Sequence, residues 1–205
     1  MKLILLLILS YLAGSVNFAI ILFRILGKQD PRNSFSGNAG TTNVYRQAGP
    51  VWAALVLLLD AGRAVAIAFL ALYFLPLWQV PWPGLVLVIG NRYPCFHRFR
   101  GGKGVANYLG FSAVIAPLGA AVSALAWVLA YLLKRITFIA SFVMILVLAA
   151  FTIVEFRHEP VAITGTALTL LFIIYNHKNN VAELWRMKKT GTKGIEGAIN
   201  QDDEG

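Results

Sequence analysis

From Leu3 to Leu26 the chain carries a single charged residue, Arg24. About 20 mainly apolar residues suffice for an α-helix to cross a bilayer. Further apolar runs lie at 50–75, 118–133, 137–155 and 160–175. A chain with so many such runs has few options. In lipid the backbone must satisfy its own polar groups, which leaves helices or a closed barrel, and runs of this length predict helices. The composition agrees: 58% of residues are hydrophobic and only 13% charged, against about 25% charged in a soluble domain. The expected fold class is an all-α integral membrane protein. "KLILLLILSYLAGS" has the look of a signal peptide, but the apolar run continues through Leu26, which favours a retained helix. The one cysteine, Cys95, has no partner for an internal disulfide.

Residues 80–117 are harder to place. "VPWPGLVLVIG" is about half a spanning length, and "VANYLGFSAVIAPLGAA" is interrupted at Pro117. The pattern predicts two short helices, near 81–92 and 104–116, and a seven-span bundle in all. Charge then sets the orientation. With the N-terminus outside and the C-terminus cytoplasmic, every one of the 18 Lys and Arg except Lys2, Arg63 and Arg157 falls on the inner side. Residues 1–196 are expected to form one membrane domain. Residues 197–205, ending "QDDEG", read as a disordered acidic tail. The net charge of +9 and pI near 9.9 do not indicate nucleic acid here, because the basic residues lie between membrane segments. They indicate topology and a surface that meets anionic lipid or substrate.

Four polar clusters concentrate the chemistry. "QDPRNSFSGNAGTTNVYR", residues 29–46, offers Ser36, Asn38, Thr41, Thr42 and Asn43 as hydroxyls and amides. Gly37 and Gly40 supply tight turns, and Arg32 and Arg46 offer forks for phosphate. The same residues also suit a loop built of helix caps. "FRGGKGVAN" places Gly101, Gly102 and Gly104 around Lys103 where a helix begins. That fits a phosphate cradle and equally a basic anchor; the Walker A spacing is absent. Asp60 and Arg63 share a face at i, i+3 inside a span, as an intramembrane ion pair or as cavity groups. "YNHKNNVAELWR" puts His177 and Asn180 on one face at the inner end of the last span, where a histidine serves as cap or as catalyst. The three histidines are far apart, and no metal-ligand motif or cofactor is expected.

The order and spacing of "YLAGSVNFA", "SGNAGTTNVYR", "LLLD" with Arg63, "RFRGGKGVAN" and "NHKNNV" resemble the PlsY family of bacterial membrane glycerol-3-phosphate acyltransferases, over nearly the whole chain. The resemblance implies transfer of an acyl group from acyl phosphate to the 1-hydroxyl of glycerol 3-phosphate, giving lysophosphatidic acid and phosphate in phospholipid synthesis. It implies a multi-pass protein of the bacterial inner membrane with its site on the cytoplasmic side. The bilayer and the enzyme that makes the acyl phosphate would be its partners. It assigns catalysis to His177, Asn180 and Ser36. With the polar clusters read above, substrate and phosphate contacts are expected at Gly37, Asn38, Asn43, Arg46, Gly101, Gly102, Lys103 and Gly104, and Asp60, Arg63 and Asn91 are expected to support the site. Several positions depart from the family pattern. Asn91 stands for a histidine, Arg63 for a lysine, Asn176 and Glu183 for arginines, and Ala39 for a proline. A divergent paralogue that binds phospholipid or phosphate without turnover is the alternative, followed by a small transporter.

Overall fold

The computed structural model describes residues 1–190, with side chains through Arg186; the acidic tail lies outside the described residues. The described chain is helical, without strands. Its elements are α1 (Lys2–Ser15), α2 (Phe18–Ile25), α3 (Thr41–Ala48), α4 (Pro50–Phe74), α5 (Pro81–Arg92), α6 (Val105–Ile115), α7 (Pro117–Lys134), α8 (Thr137–Glu155), α9 (Pro160–Asn176) and α10 (Lys178–Thr190). Proline opens four of them, at residues 50, 81, 117 and 160. Its fixed φ suits the first turn, where the missing N–H has no partner to lose.

Among the described residues, four segments are long and apolar enough to cross a membrane: Lys2–Ile25, Pro50–Phe74, Pro117–Lys134 and Thr137–Glu155. A fifth arises if α9 and α10, bent by 45°, count as one broken span. The protein is therefore a multi-pass membrane protein. The helices α5 and α6 appear where the sequence predicts them, with 12 and 11 residues, short of the ~20 that a crossing needs.

The first span was expected to be continuous over 3–26 and is broken. Asn17 caps α2, its side-chain oxygen accepting from the Ile20 N–H at 3.1 Å. The same amide donates to the Ala39 carbonyl at 3.2 Å. Asparagine competes with the helix ladder for backbone groups, and this break ties α2 to the polar loop after it.

Lipid-facing surfaces carry exposed Ile4, Leu5, Leu58, Phe69, Leu125, Leu133 and Leu171. The interior is built on close backbone approach. A Cβ on Gly14 would overlap the Leu87 carbonyl, and one on Gly90 the Tyr11 carbonyl, so α1 and α5 meet through glycine. Buried hydroxyls on Ser10, Thr152, Thr166 and Thr169 donate to the carbonyl four residues earlier, which satisfies them without water. Around Val88, Tyr108, Ile145, Leu148 and Ile173 an apolar core joins α5, α6, α8 and α9. That core fixes the end of the bundle where the polar loops gather.

Asp60 and Arg63 form an ion pair at 2.8 Å on α4, both nearly buried. The Arg63 guanidinium also donates to Asn107 Oδ1 on α6 at 2.7 Å and to the carbonyls of Ala13 and Val16 at the α1 break. One side chain thus clamps three elements. A broken helix leaves carbonyls without partners, and Arg63 supplies the donors.

Candidate active site

The loop after α2 is folded by its own polar residues. Asp30 accepts from the Arg32 N–H at 2.9 Å and caps a 3₁₀ turn over Pro31–Asn33. Arg32, expected as a phosphate fork, is committed elsewhere. It pairs with Asp30 at 2.5 Å and donates to the carbonyls of His97 (2.8 Å) and Arg100 (2.7 Å). It staples the first polar loop to the second. Asn43, on α3, donates to the carbonyls of Pro31 (2.6 Å) and Asn38 (2.9 Å). Its amide therefore shapes the loop from within, and Gly37 turns the chain at φ +63°.

The glycine loop is held against the end of α5. The Gly101 N–H donates to the Arg92 carbonyl at 3.1 Å, and the Gly102 N–H to that of Asn91 at 3.0 Å. Both amides are thereby occupied. What these glycines provide is close approach: a Cβ on Gly101 would overlap the Asn91 carbonyl, and one on Gly102 would lie 2.7 Å from Asn91 Oδ1. Buried Asn91 is thus the floor of the loop. Gly104, at φ +89°, starts α6 from a left-handed conformation that glycine adopts without penalty.

The bend between α9 and α10 brings the third polar region to the same place. Lys103 Nζ donates to Asn180 Oδ1 at 2.5 Å. Asn176 Nδ2 donates to the Lys103 carbonyl at 3.3 Å. His177 sits at the break, with its Nδ1 2.8 Å from the Ile173 carbonyl and its ring against Phe142 at 5.2 Å. A carbonyl can only accept, so Nδ1 carries the proton and Nε2 has the lone pair.

A cavity of about 290 Å³ opens between these regions. Ser36, Gly37, Asn38, Gly101, Lys103 and Asn180 line it, together with Arg92, Tyr93, Phe99, Arg100, Asn176 and Asn179. Three regions far apart in sequence are brought together. Asn43, Arg46, Gly102, Gly104 and His177 lie outside the lining, as do Asp60, Arg63 and Asn91. Sequence reasoning missed Arg92 as a site group. The signal was a cation directly beside the departing Asn91, at the end of a helix too short to cross.

Among the described residues, the lining has three cations and no carboxylate. Burial, the charges of Arg92 and Arg46, and only partial compensation by Glu183 push Lys103 down to about 8. A lysine left this short of counter-charge suits an anionic ligand. Hydroxyl and amide groups around it suit a polyol or phosphate.

A sequence profile described as glycerol-3-phosphate acyltransferase matches residues 4–187. A glycerol-3-phosphate acyltransferase of Pseudomonas fluorescens is 40% identical over 185 residues, covering 88% of this chain and 95% of its own. One from Pseudomonas paraeruginosa is 38% identical over 182 residues, with the same coverage. The crystal structure of PlsY, an integral membrane glycerol 3-phosphate acyltransferase, in its glycerol 3-phosphate form superposes with a TM-score of 0.84 at 33% identity, covering 91% of this chain and 93% of that one. Its lysophosphatidic acid form gives 0.81 at 32%, with the same coverage. The chain belongs to the glycerol-3-phosphate acyltransferase family of PlsY.

Proposed function

We propose that this protein is a membrane glycerol-3-phosphate acyltransferase of phospholipid synthesis that takes its acyl group from acyl phosphate. The observation that carries the reading is the cavity in which Lys103, Asn180 and the Ser36–Asn38 turn converge, with no carboxylate among its described lining residues. Both substrates bear phosphate, and a site with several cations and no acid can hold both.

The 1-hydroxyl of glycerol 3-phosphate attacks the acyl carbon. The ester C–O bond forms, the bond from the acyl carbon to the phosphate oxygen breaks, and phosphate leaves. Phosphate is a good leaving group, so proximity and charge stabilisation suffice and no covalent acyl-enzyme is needed. In this scheme Lys103 neutralises the departing phosphate. Ser36 and Asn38 orient the donor head, and Asn180 holds Lys103 in place. The hydroxyl proton travels with the leaving phosphate. His177, packed behind the cavity wall, fixes the α9–α10 bend that presents Asn176 and Asn180. Arg46, exposed on α3, adds to the positive field that draws anions in.

The topology belongs to the same proposal. Seven segments thread the bacterial inner membrane, with the N-terminus outside and the C-terminus and cavity cytoplasmic. The distribution of Lys and Arg supports it. So does the position of all the cavity-lining loops at one end of the bundle. In a Cys95→Ala background, Lys28→Cys should resist a membrane-impermeant maleimide in intact cells, while Gln79→Cys reacts. The reverse pattern would invert the topology.

The direct test is acyl transfer by purified protein. Acyl phosphate and glycerol 3-phosphate should yield lysophosphatidic acid and phosphate in equal amounts. A folded protein that shows no turnover would sink the enzyme reading. Turnover only with an acyl thioester would sink the donor assignment.

A further inference from the structure

Two polar atoms on residues of the cavity wall are buried and lack a partner among the described residues: Nε of Arg92 and Oδ1 of Asn176. Such atoms are uncommon in native proteins. Arg92 ends α5, and its guanidinium lies 5.5 Å from the Tyr93 ring centroid. Neither ion pair among the described residues involves it. The orientation of Asn176 is fixed by chemistry. Its Nδ2 donates to the Lys103 carbonyl, and a carbonyl cannot donate in return, so the free atom is the acceptor Oδ1.

Arg92 and Asn176 thus line the cavity while each keeps hydrogen-bonding capacity, cationic donor in one and neutral acceptor in the other, that the described residues do not meet. A ligand that meets both has anionic oxygens and a hydroxyl that keeps its proton. Glycerol 3-phosphate has both features. The phosphate head of a dianionic acyl phosphate has only the first. An amide oxygen is too weak a base to take up a proton, so it suits the hydroxyl that does not react.

We propose that Arg92 and Asn176 are the acceptor-specificity pair, Arg92 gripping the phosphate of glycerol 3-phosphate and Asn176 Oδ1 accepting from its 2-hydroxyl. The proposal rests on the acyltransferase reading above and assigns the residues that select its acceptor. Arg92 offers a planar fork to phosphate where a lysine would offer a point charge. Asn176, tied to the Lys103 backbone, couples the acceptor's position to that of the lysine that meets the donor. Neither residue enters the bond-making step.

The test is steady-state kinetics of the purified protein with each substrate varied. It is paired with calorimetric titration of glycerol 3-phosphate and a thermal melt for each variant. Arg92→Gln should raise KM for glycerol 3-phosphate by roughly tenfold or more, the scale of one lost charged hydrogen bond, and leave KM for acyl phosphate nearly unchanged. Arg92→Lys should recover part of that loss. Asn176→Ala should narrow the preference for glycerol 3-phosphate over 3-hydroxypropyl phosphate, which lacks the 2-hydroxyl. An unchanged acceptor KM in Arg92→Gln, or a rise confined to acyl phosphate, overturns the proposal. So does an undiminished preference in Asn176→Ala. If Arg92→Gln melts early and raises both KM values, Arg92→Lys decides, since it keeps the charge. Should the unaltered protein lack turnover, the function reading falls. Calorimetric binding of glycerol 3-phosphate that weakens in Arg92→Gln would then still uphold the subsite, and equal binding would overturn it.

Discussion

Arg63 and Lys103 are both cations drawn out of water, and their surroundings differ. Arg63 has Asp60 at 2.8 Å, Asn107 at 2.7 Å and two backbone carbonyls at the α1 break. Lys103 has one neutral partner, Asn180, and two guanidiniums that oppose its charge. In one site the charge is met by the protein's own carboxylate and carbonyls, with only the Arg63 Nε left without a partner among the described residues. The other faces a cavity whose described lining adds cations and no carboxylate. A buried charge met by the fold contributes to structure, and one left unmet marks a place for a ligand.

The sharpest way to break this contrast is to unbalance the closed site. Arg63→Met leaves Asp60 buried without its counter-charge and frees the carbonyls of Ala13 and Val16. Removing one partner of a buried pair costs about 3–5 kcal/mol, so the variant should lose its thermal transition and with it all activity. Replacing both, as Asp60→Leu with Arg63→Met, should restore part of the stability. An Arg63→Met protein that melts normally but is inactive would make Arg63 a site residue and erase the distinction.

The open site should respond in the opposite manner. Lys103→Ala should lower kcat/KM by about tenfold or more, as expected when a group that meets developing charge is lost, while the melting temperature stays level or rises. Loss of stability without loss of rate would mean that Lys103 belongs with Arg63.

Much of this was legible in the sequence, and the exceptions have a common cause. Helix positions followed from apolar runs and from prolines that open helices, so 81–92 and the stretch before Pro117 were placed closely. The break at Asn17 was hidden, because one asparagine in an apolar run is weak evidence until Ala39 is found to accept from it. The polar clusters announced a site but not the division of labour within it. Arg32 and Arg46 looked alike in sequence, yet Arg32 is spent on Asp30 and two carbonyls. Gly101 and Gly102 looked like anion-binding amides, yet their N–H groups serve Asn91 and Arg92. Arg32 reaches carbonyls 65 and 68 residues away, and the glycine amides turn back onto the end of α5; no local pattern records either. Arg92 escaped notice because only the folded cavity lining groups it with Lys103 and Asn176.

The finest comparison concerns charge alone. Lys103 ionises near 8 because of burial first, then Arg92 and Arg46, with Glu183 pulling the other way; His177 also faces it. The protonated lysine is the form that meets phosphate. In the free protein that form is lost as pH rises through about 8, so kcat/KM should fall on the alkaline side. A bound phosphate favours the charged lysine, so the same limb in kcat should lie at higher pH. Small, signed shifts then identify the group. Arg46→Gln removes a repelling charge and should move the kcat/KM limb up. Glu183→Gln removes an attracting one and should move it down. Arg92→Gln should move it up further than Arg46→Gln, because its influence is the larger of the two. A limb that ignores all three substitutions would belong to ionisation elsewhere, in the substrates or in another residue. A limb that moves in the wrong direction for Glu183 would mean that the neutral lysine is the working form, and Lys103 would become a base instead of a phosphate clamp.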